Sequence, residues 1–569
     1  MTRRELFWLL GAGALRGESD ARGELSSRRL DLTLAFGENA KGLLPEFDSE
    51  EFAGSLRDAR VAAITVPAKG HDGYTYYDTE FGAKHPGLKV DLFGALARAC
   101  KGAGIEVGYS YPLVHDDLQA RKHPEWLASG EQWLCLNTPF FQQVLRENRE
   151  IVGKYAIKGV FFEDLLIRPS GCYCQWCVAD RKRLGLADIG RHNKLVAQRV
   201  EKALSTLVHG GVSFGRPMRE LRDEAEAFSY FKIDLGFDHR VRFLRTLRKD
   251  CVGVVHDPIR FEHECLNLVA NGAKAGILAS LLGRGRIDAT EIKRVFSKLE
   301  SLEKWTQGCR AVADIGVMDG SDERFTETLI GLHQQFNIVD GESDLALYKL
   351  IIVPDGTLLT PRLIARLDAY IDRGGPVIIA GKVDDGPFAK RALGVSFEGG
   401  ERSAGSLILS PEVFGDVAAT LRVEGEPVKA ERRTEILATL GDRPLITRNS
   451  GAVYVGVRCL ELPVAVLGEL IRQLMPRPSV IAPNLPATAQ VTMLEQRTQG
   501  NLRRIVHILN YPGGQPAVLE NVKLSVSLPQ HPLGVVLIPS EKPLEFRHNE
   551  FYTTFTVPRV DGHQAIAFE

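Results

Sequence analysis

Two acids close an apolar run in this 569-residue chain: Gly159-Val160-Phe161-Phe162 leads directly into Glu163 and Asp164. A carboxylate at the edge of a desolvated run can be tuned in pKa, which suits it to nucleophilic or acid–base work. Neighbours on a strand point to opposite faces, so one of the pair would face a common axis and the other would anchor the following loop. Upstream, Lys69-Gly70-His71-Asp72-Gly73-Tyr74-Thr75-Tyr76-Tyr77, with His85 shortly after, collects imidazoles, a carboxylate and phenols. Such a set can hydrogen-bond several hydroxyls of a sugar while a ring stacks on its apolar face, which makes His71, Asp72, Tyr76, Tyr77 and His85 candidate binding residues. The blander reading is a polar surface loop held by its own Asp turn. Two-carboxylate glycoside chemistry needs a second acid, about 5 to 5.5 Å from the first for retention or about 6.5 to 9.5 Å for inversion. Glu224, Glu226, Asp234, Glu262 and Glu264 are available, and no spacing signature chooses among them.

Cys172-Tyr173-Cys174-Gln175-Trp176-Cys177 gathers three thiols, and Cys135 is placed to add a fourth. Four thiolates make a closed tetrahedral zinc site of the structural kind. Buried free thiols and disulfides are the other two readings, although neighbours this close cannot all pair with one another. No second His/Glu set has ligand spacing, so the chemistry is expected to need no cofactor and any zinc is structural.

The elements that would position these residues are α/β. From Arg29 to about Leu302, short apolar or β-branched runs alternate with helical ones, and the spacing predicts a (β/α)8 TIM barrel over 25–308. The strands are placed at Leu30–Phe36, Arg60–Val66, Ile105–Tyr111, Lys158–Asp164, Gly211–Phe214, Cys251–His256 and Ala275–Leu278. The carboxyl ends of these strands converge, which is where Glu163 and the His71 loop fall. A doubly wound, flavodoxin-like α/β unit is expected over 309–485, with strands Ala311–Val317, Leu350–Val353 and Val377–Ala380 and helices Phe325–Phe336, Pro361–Arg373 and Pro463–Leu474. Alternating strands divided by Pro/Gly turns predict a C-terminal antiparallel β-sandwich over 486–569.

Lys+Arg 71 against Asp+Glu 72 gives a net charge of -1 with no basic, aromatic-laced patch, which argues against a nucleic-acid partner. No apolar run is long enough to span a membrane. Residues 1–24, with Arg3-Arg4 before Trp8-Leu9-Leu10, resemble a twin-arginine signal, which would place the protein in the periplasm or outside the cell. Read instead as a frayed terminus, they leave it cytoplasmic. Nine cysteines, an odd number in a long chain, do not resemble a disulfide framework.

Ala68 to Tyr77, His85-Pro86-Gly87-Leu88, Asp91-Leu92, His123-Pro124-Glu125-Trp126, Cys135-Leu136-Asn137-Thr138-Pro139-Phe140 and Glu264 with Ala270-Asn271-Gly272-Ala273 together resemble the hypothetical glycosyl hydrolase barrels grouped with α-L-fucosidases of glycoside hydrolase family 151. The Lys-x-His-Asp-Gly segment is similar to the more distant family 29, whose paired histidines bind the sugar, with Gly70 here in place of the first. The chain beyond the barrel resembles the amidotransferase-like trimerisation domain and terminal β-domain of family 42 β-galactosidases, some of which hold zinc in a similar cysteine cluster. The resemblance implies a retaining exo-glycosidase with a carbohydrate substrate and a homo-oligomeric state, dimer or trimer. It implies a fourth-strand nucleophile, with Glu163 at the family's Asp and Asp164 beside it, and an acid among Glu226, Asp234 and Glu264. Asn137 and His256 join the expected substrate contacts, His256 standing where a small residue is usual. A β-galactosidase or a non-catalytic carbohydrate-binding barrel are the alternatives.

Overall fold

The computed structural model describes the chain apart from residues 1–24, 35, 37–43, 45–46, 164–170, 208–209, 214–229, 234–236, 248–249, 281–288, 321, 382, 385, 398–401, 416, 418–420 and 499–500. Eight parallel strands close into a barrel: β1 (Arg29–Thr33), β2 (Ala63–Pro67), β3 (Glu106–Pro112), β4 (Gly159–Glu163), β5 (Gly210–Ser213), β6 (Tyr230–Ile233), β7 (Asp250–Val255) and β8 (Lys274–Ser280). β1 pairs with both β2 and β8, which is what closes the ring. Among the described residues, the helices around it include α1 (Ser49–Asp58), α2 (Leu92–Gly102), α3 (Phe140–Lys154), α4 (Ile189–Ser205), α5 (Phe237–Leu244), α6 (Phe261–Ala270) and α7 (Ala289–Thr306). Local chemistry sets their ends. Asp48 accepts from Glu50 N and Glu51 N at the start of α1, and Asp91 accepts from Gly94 N at the start of α2. Gly104, at φ 78°, then lets the chain reverse into β3. β2 is buried along its whole length, as expected of a parallel strand covered on both faces.

The sequence pattern marks seven barrel strands, and the structure adds β6, a four-residue Tyr-Phe-Lys-Ile run whose central lysine hides its strand character. Two element assignments are corrected. Ala311–Val317 is not one strand, because Cys309–Ala311 pairs antiparallel with Ala489–Thr498 in the C-terminal sheet, whereas Ile315–Met318 enters the middle sheet. The helix expected to reach Phe336 stops at Gly331, and Phe336–Val339 is a strand.

In the middle unit, five parallel strands lie in the order Phe336–Val339, Ile315–Met318, Leu350–Val353, Val377–Ala380, Ala452–Val455, the 2-1-3-4-5 order of flavodoxin-like folds. Four antiparallel strands extend it. The C-terminal strands are joined by hydrogen bonds into one ten-stranded sheet, in which His563–Phe568 pairs with both Asn501–Asn510 and Val535–Ile538. Among the described residues, no helix is long and apolar enough to cross a membrane.

Two buried histidines and a half-buried one in this framework have a testable consequence. Burial holds His239 and His263 down to about 4 and His507 to about 3. They are neutral when folded and take up protons on unfolding below the ordinary histidine value, so stability is complete above about pH 6.5 and falls as the pH drops from there toward 4. Each contributes a slope of up to about 1.4 kcal/mol per pH unit in that window. Urea denaturation between pH 7.5 and 5 should show the decline, and His507→Gln should flatten it; an unchanged slope in that variant would contradict the assignment.

Candidate active site

The carboxyl ends of β2, β3, β4 and β6 bring a compact polar set together. Glu163, the last residue of β4, receives a hydrogen bond from His71 Nε2 on its Oε2 at 3.0 Å. The His71 ring stacks on that of His115 with centroids 5.0 Å apart and planes inclined by 25°. Lys232, on β6, places its ammonium 3.4 Å from Asp31 Oδ1 on β1 and 4.3 Å from the centre of the Phe161 ring. A glycine at 276 leaves room for Asp31, since a Cβ there would lie 3.0 Å from Asp31 Oδ2. Burial acts to raise the Glu163 pKa, but the His71 hydrogen bond, the Lys232 charge and a hydrogen bond from Ser110 outweigh it and hold the carboxyl below its ordinary value. Its side chain is 31% exposed, so the ionised group is supported from below and open above.

Other predicted binding residues sit around this pair in different ways. Tyr76 is buried, donates to Leu34 O at 3.3 Å, and has its pKa raised by burial and by the charges of Asp72 and Glu163. A Cβ at Gly70 would lie 2.5 Å from the Tyr76 hydroxyl oxygen and 2.6 Å from Asp72 Oδ1, so these two groups occupy the space a side chain at 70 would need. Asp72 also accepts from Tyr74 N at 3.1 Å, the Asp turn of the blander reading. His85 is buried, accepts from Gly87 N at its Nδ1, and has Phe36, Tyr74 and Tyr76 edges around it. Tyr77 is set apart: its hydroxyl donates to Glu150 of α3 at 3.4 Å, within the barrel wall.

Glu264 and His256 lie in a different cleft, of about 580 Å³, with Asp238, His239, Asp257 and Arg260. Burial raises the Glu264 pKa, and Arg260 Nε, 3.0 Å away, opposes the shift. Asp164, Glu226 and Asp234 lie outside the described residues. A further cavity, of about 720 Å³, opens at the carboxyl ends of the middle sheet, away from the Glu163 set.

The four cysteines converge. Cys135, Cys172, Cys174 and Cys177 offer sulfurs all within 4.8 Å of one another, with Cys135 Sγ and Cys177 Sγ 3.6 Å apart, and all are free thiols. Zinc–sulfur bonds of about 2.3 Å in a tetrahedron require sulfur–sulfur edges of about 3.8 Å, so the donor set fits the ion. Asn137 belongs here, its Nδ2 donating to Cys177 Sγ at 3.6 Å rather than facing Glu163.

Lys232, Asp31, Ser110 and His115 were missed by sequence reasoning. Asp31 had a signal: a single acid at the centre of Leu30-Asp31-Leu32 must point opposite to its apolar neighbours.

Residues 48–164 match the model of the family described as hypothetical glycosyl hydrolase 6. No curated protein matches the chain. Among solved structures, α-L-fucosidase isoenzyme 2 from Paenibacillus thiaminolyticus is similar at a TM-score of 0.84 and 21% identity, covering 96% of this chain and 100% of that one. The β-galactosidase from Bacillus circulans sp. alkalophilus superposes at 0.67 with 12% identity over 92% of this chain and 98% of its own. That from Rahnella sp. R3 superposes at 0.68 with 16% identity over 92% and 96%. The chain is therefore similar to hypothetical glycosyl hydrolases in its first βα units, and over more than nine-tenths of its length it has a fold shared with these glycosidases.

Proposed function

We propose that the protein is a retaining exo-glycoside hydrolase of the α-L-fucosidase type, acting on terminal sugars of oligosaccharides or glycoconjugates. The observation that carries this reading is the ionised Glu163 held by His71 at the open end of the barrel. A Glu163 oxygen attacks the anomeric carbon as the bond to the leaving oxygen breaks, and that oxygen takes its proton from a second carboxylic acid. Water then attacks the glycosyl ester, giving its proton back to the same acid and releasing Glu163. Glu226 and Asp234 are the candidates for the acid, with Asp164 as the alternative nucleophile; Glu264, although its burial favours the protonated form, lines a separate cleft from Glu163. His71, Asp72, Tyr76 and His85 would hold sugar hydroxyls. The cysteines would hold zinc in a purely structural role, and no cofactor enters the chemistry.

A panel of p-nitrophenyl glycosides tests the reading, with release from the α-L-fucoside as the expected result. Release from the β-galactoside instead would favour the alternative supported by the middle and C-terminal units, and sugar binding by calorimetry without turnover of any member would favour a binding protein. Light scattering is expected to give a dimer or trimer, against which a monomer at micromolar concentration would count.

A further inference from the structure

The loop presenting His71 and the loop presenting His115 share a buried electrostatic joint. Lys69 Nζ lies 2.7 Å from Asp116 Oδ2 and 2.8 Å from Glu147 Oε2, and none of the three side chains is more than 1% exposed. The Tyr111 hydroxyl donates to Glu147 Oε2 at 2.7 Å, and Gln143 Nε2 donates to Oε1 at 2.8 Å. Asp116 Oδ1 accepts from Gln119 N and so starts the short helix Asp117–Lys122. Lys69 stands two residues before His71, Asp116 directly after His115, and Glu147 on α3. The joint therefore fastens both loops to an outer helix at points next to both imidazoles. Backbone bonds continue it, from Asp117 N to His71 O at 2.9 Å and from Leu118 N to Asp72 O at 3.2 Å. Gly73, at φ 92°, allows the close approach, since a Cβ there would run into Asp116.

Three buried charges are a poor way merely to hold two loops together. Apolar side chains of the same volume usually match or exceed the stability of a buried ion triad. What the ions add is direction, because one ammonium between two fixed carboxylates admits one arrangement of the loops. Burial works against the Lys69 charge, but Glu147 and Asp116 overcome it and keep the lysine cationic.

We propose that Lys69, Asp116 and Glu147 are positioning residues that hold the His71 imidazole against Glu163 by locking the His71 loop to the His115 loop. This rests on the reading of Glu163 as the site's working carboxylate. The test uses the full chain with Lys69→Met, Asp116→Asn and Glu147→Gln combined, which removes all three charges and leaves no unpaired one behind. On whichever aryl glycoside the parent cleaves, kcat should fall about 10- to 100-fold with KM changed by no more than about threefold, as for a misplaced catalytic contact. The acid limb of the pH profile should rise as it does in His71→Ala, and adding His71→Ala to the triple variant should cost no more than about twofold further. A second readout needs no substrate: with ¹⁵N-histidine labelling, the His71 ring signal, identified by its loss in His71→Ala, should respond to Glu163→Gln in the parent and not in the triple variant.

Parent-like kcat, or an unchanged response of His71 to Glu163→Gln, would overturn the proposal. So would a lowered melting temperature with full activity per folded molecule, the mark of a merely structural joint. If the parent cleaves no glycoside, the functional reading fails while the ring signal still decides the positioning. If the triple variant does not fold, Asp116→Asn alone, which keeps the Lys69–Glu147 pair, is read in the same two ways, and an unchanged His71 response again overturns it.

Discussion

Glu163→Gln is expected to lower kcat by at least about 1,000-fold on the substrate the parent cleaves, near 4 kcal/mol at 1.36 kcal/mol per tenfold. The amide keeps the size of the side chain and an oxygen for His71, so the loss reports the missing negative charge and nucleophile rather than a collapsed site. Glu163→Ala should recover turnover in sodium azide and yield a glycosyl azide of inverted configuration, since the anion enters the space left by the carboxylate. Asp164→Asn, run beside it, should cost less than about tenfold where Glu163 alone carries the attack. The pH profile makes the assignment sharper. Burial alone would raise the Glu163 pKa and move the acid limb upward; the His71 hydrogen bond, Lys232 and Ser110 reverse that sign. The acid limb should therefore lie lower than burial alone would put it, and His71→Ala should shift it upward. Full turnover by Glu163→Gln would sink the nucleophile, and loss in Asp164→Asn alone would move the role to its neighbour.

The legible part of this site was the part written in short, contiguous motifs. His71, Asp72 and Tyr76 share one loop, and Glu163 ends an apolar run, so residue type and position in a βα-repeat sufficed to bring them to one end of a barrel. The same rule misplaced Tyr77 and Asn137. Tyr77 comes directly after Tyr76 and turns to the opposite side, toward Glu150, whereas Asn137 is drawn to Cys177 by a contact forty residues away along the chain. Lys232 was hidden for a different reason: β6 is four residues long, and its inward lysine breaks the apolar run by which a buried strand is recognised. An inward charge of this kind becomes tolerable only once Asp31, from the first strand, is across the barrel to meet it. The buried triad was equally out of reach, since Lys69 and Glu147 are ordinary surface types until the fold encloses them. In the middle unit, the strand Phe336–Val339 was lost because its apolar residues continue the helical spacing of the preceding segment, and the turn at His333, at φ 58°, carries no glycine to mark it.

Purified without chelator and under reducing conditions, the protein is expected to carry one zinc per chain, and its removal should lower the melting temperature by about 6 to 12 °C. The cluster joins two segments of the chain. One is the turn from Trp126 to Cys135, closed by the Leu127–Leu134 bridge and by Cys135 N donating to Trp126 O. The other is Cys172–Cys177, which leads into the helix Gln175–Leu184 and is tied back by Tyr173 N donating to Ser129 Oγ. Free zinc-finger peptides gain about 10 to 16 kcal/mol from the metal. Here the barrel has its own core, so the ion need secure only this rim, for which about 3 kcal/mol is a reasonable share and gives a shift of that size at roughly 2 to 4 °C per kcal/mol. Zinc content by mass spectrometry, before and after dialysis against a chelator, checks the first part, and calorimetry of the same samples checks the second. Cys177→Ser, at a residue only 2% exposed, should reproduce the apo melting temperature and lose the metal. Binding requires thiolates, so zinc should be released as the pH falls, and the metal-dependent part of the stability should go with it. The segment fixed by the cluster begins shortly after Glu163 in the chain, so the apo protein should also show a raised KM with kcat less affected. A metal-free preparation that melts with the parent and with Cys177→Ser would leave the thiols as core packing, and a mass lower by two hydrogens per pair would identify disulfides instead.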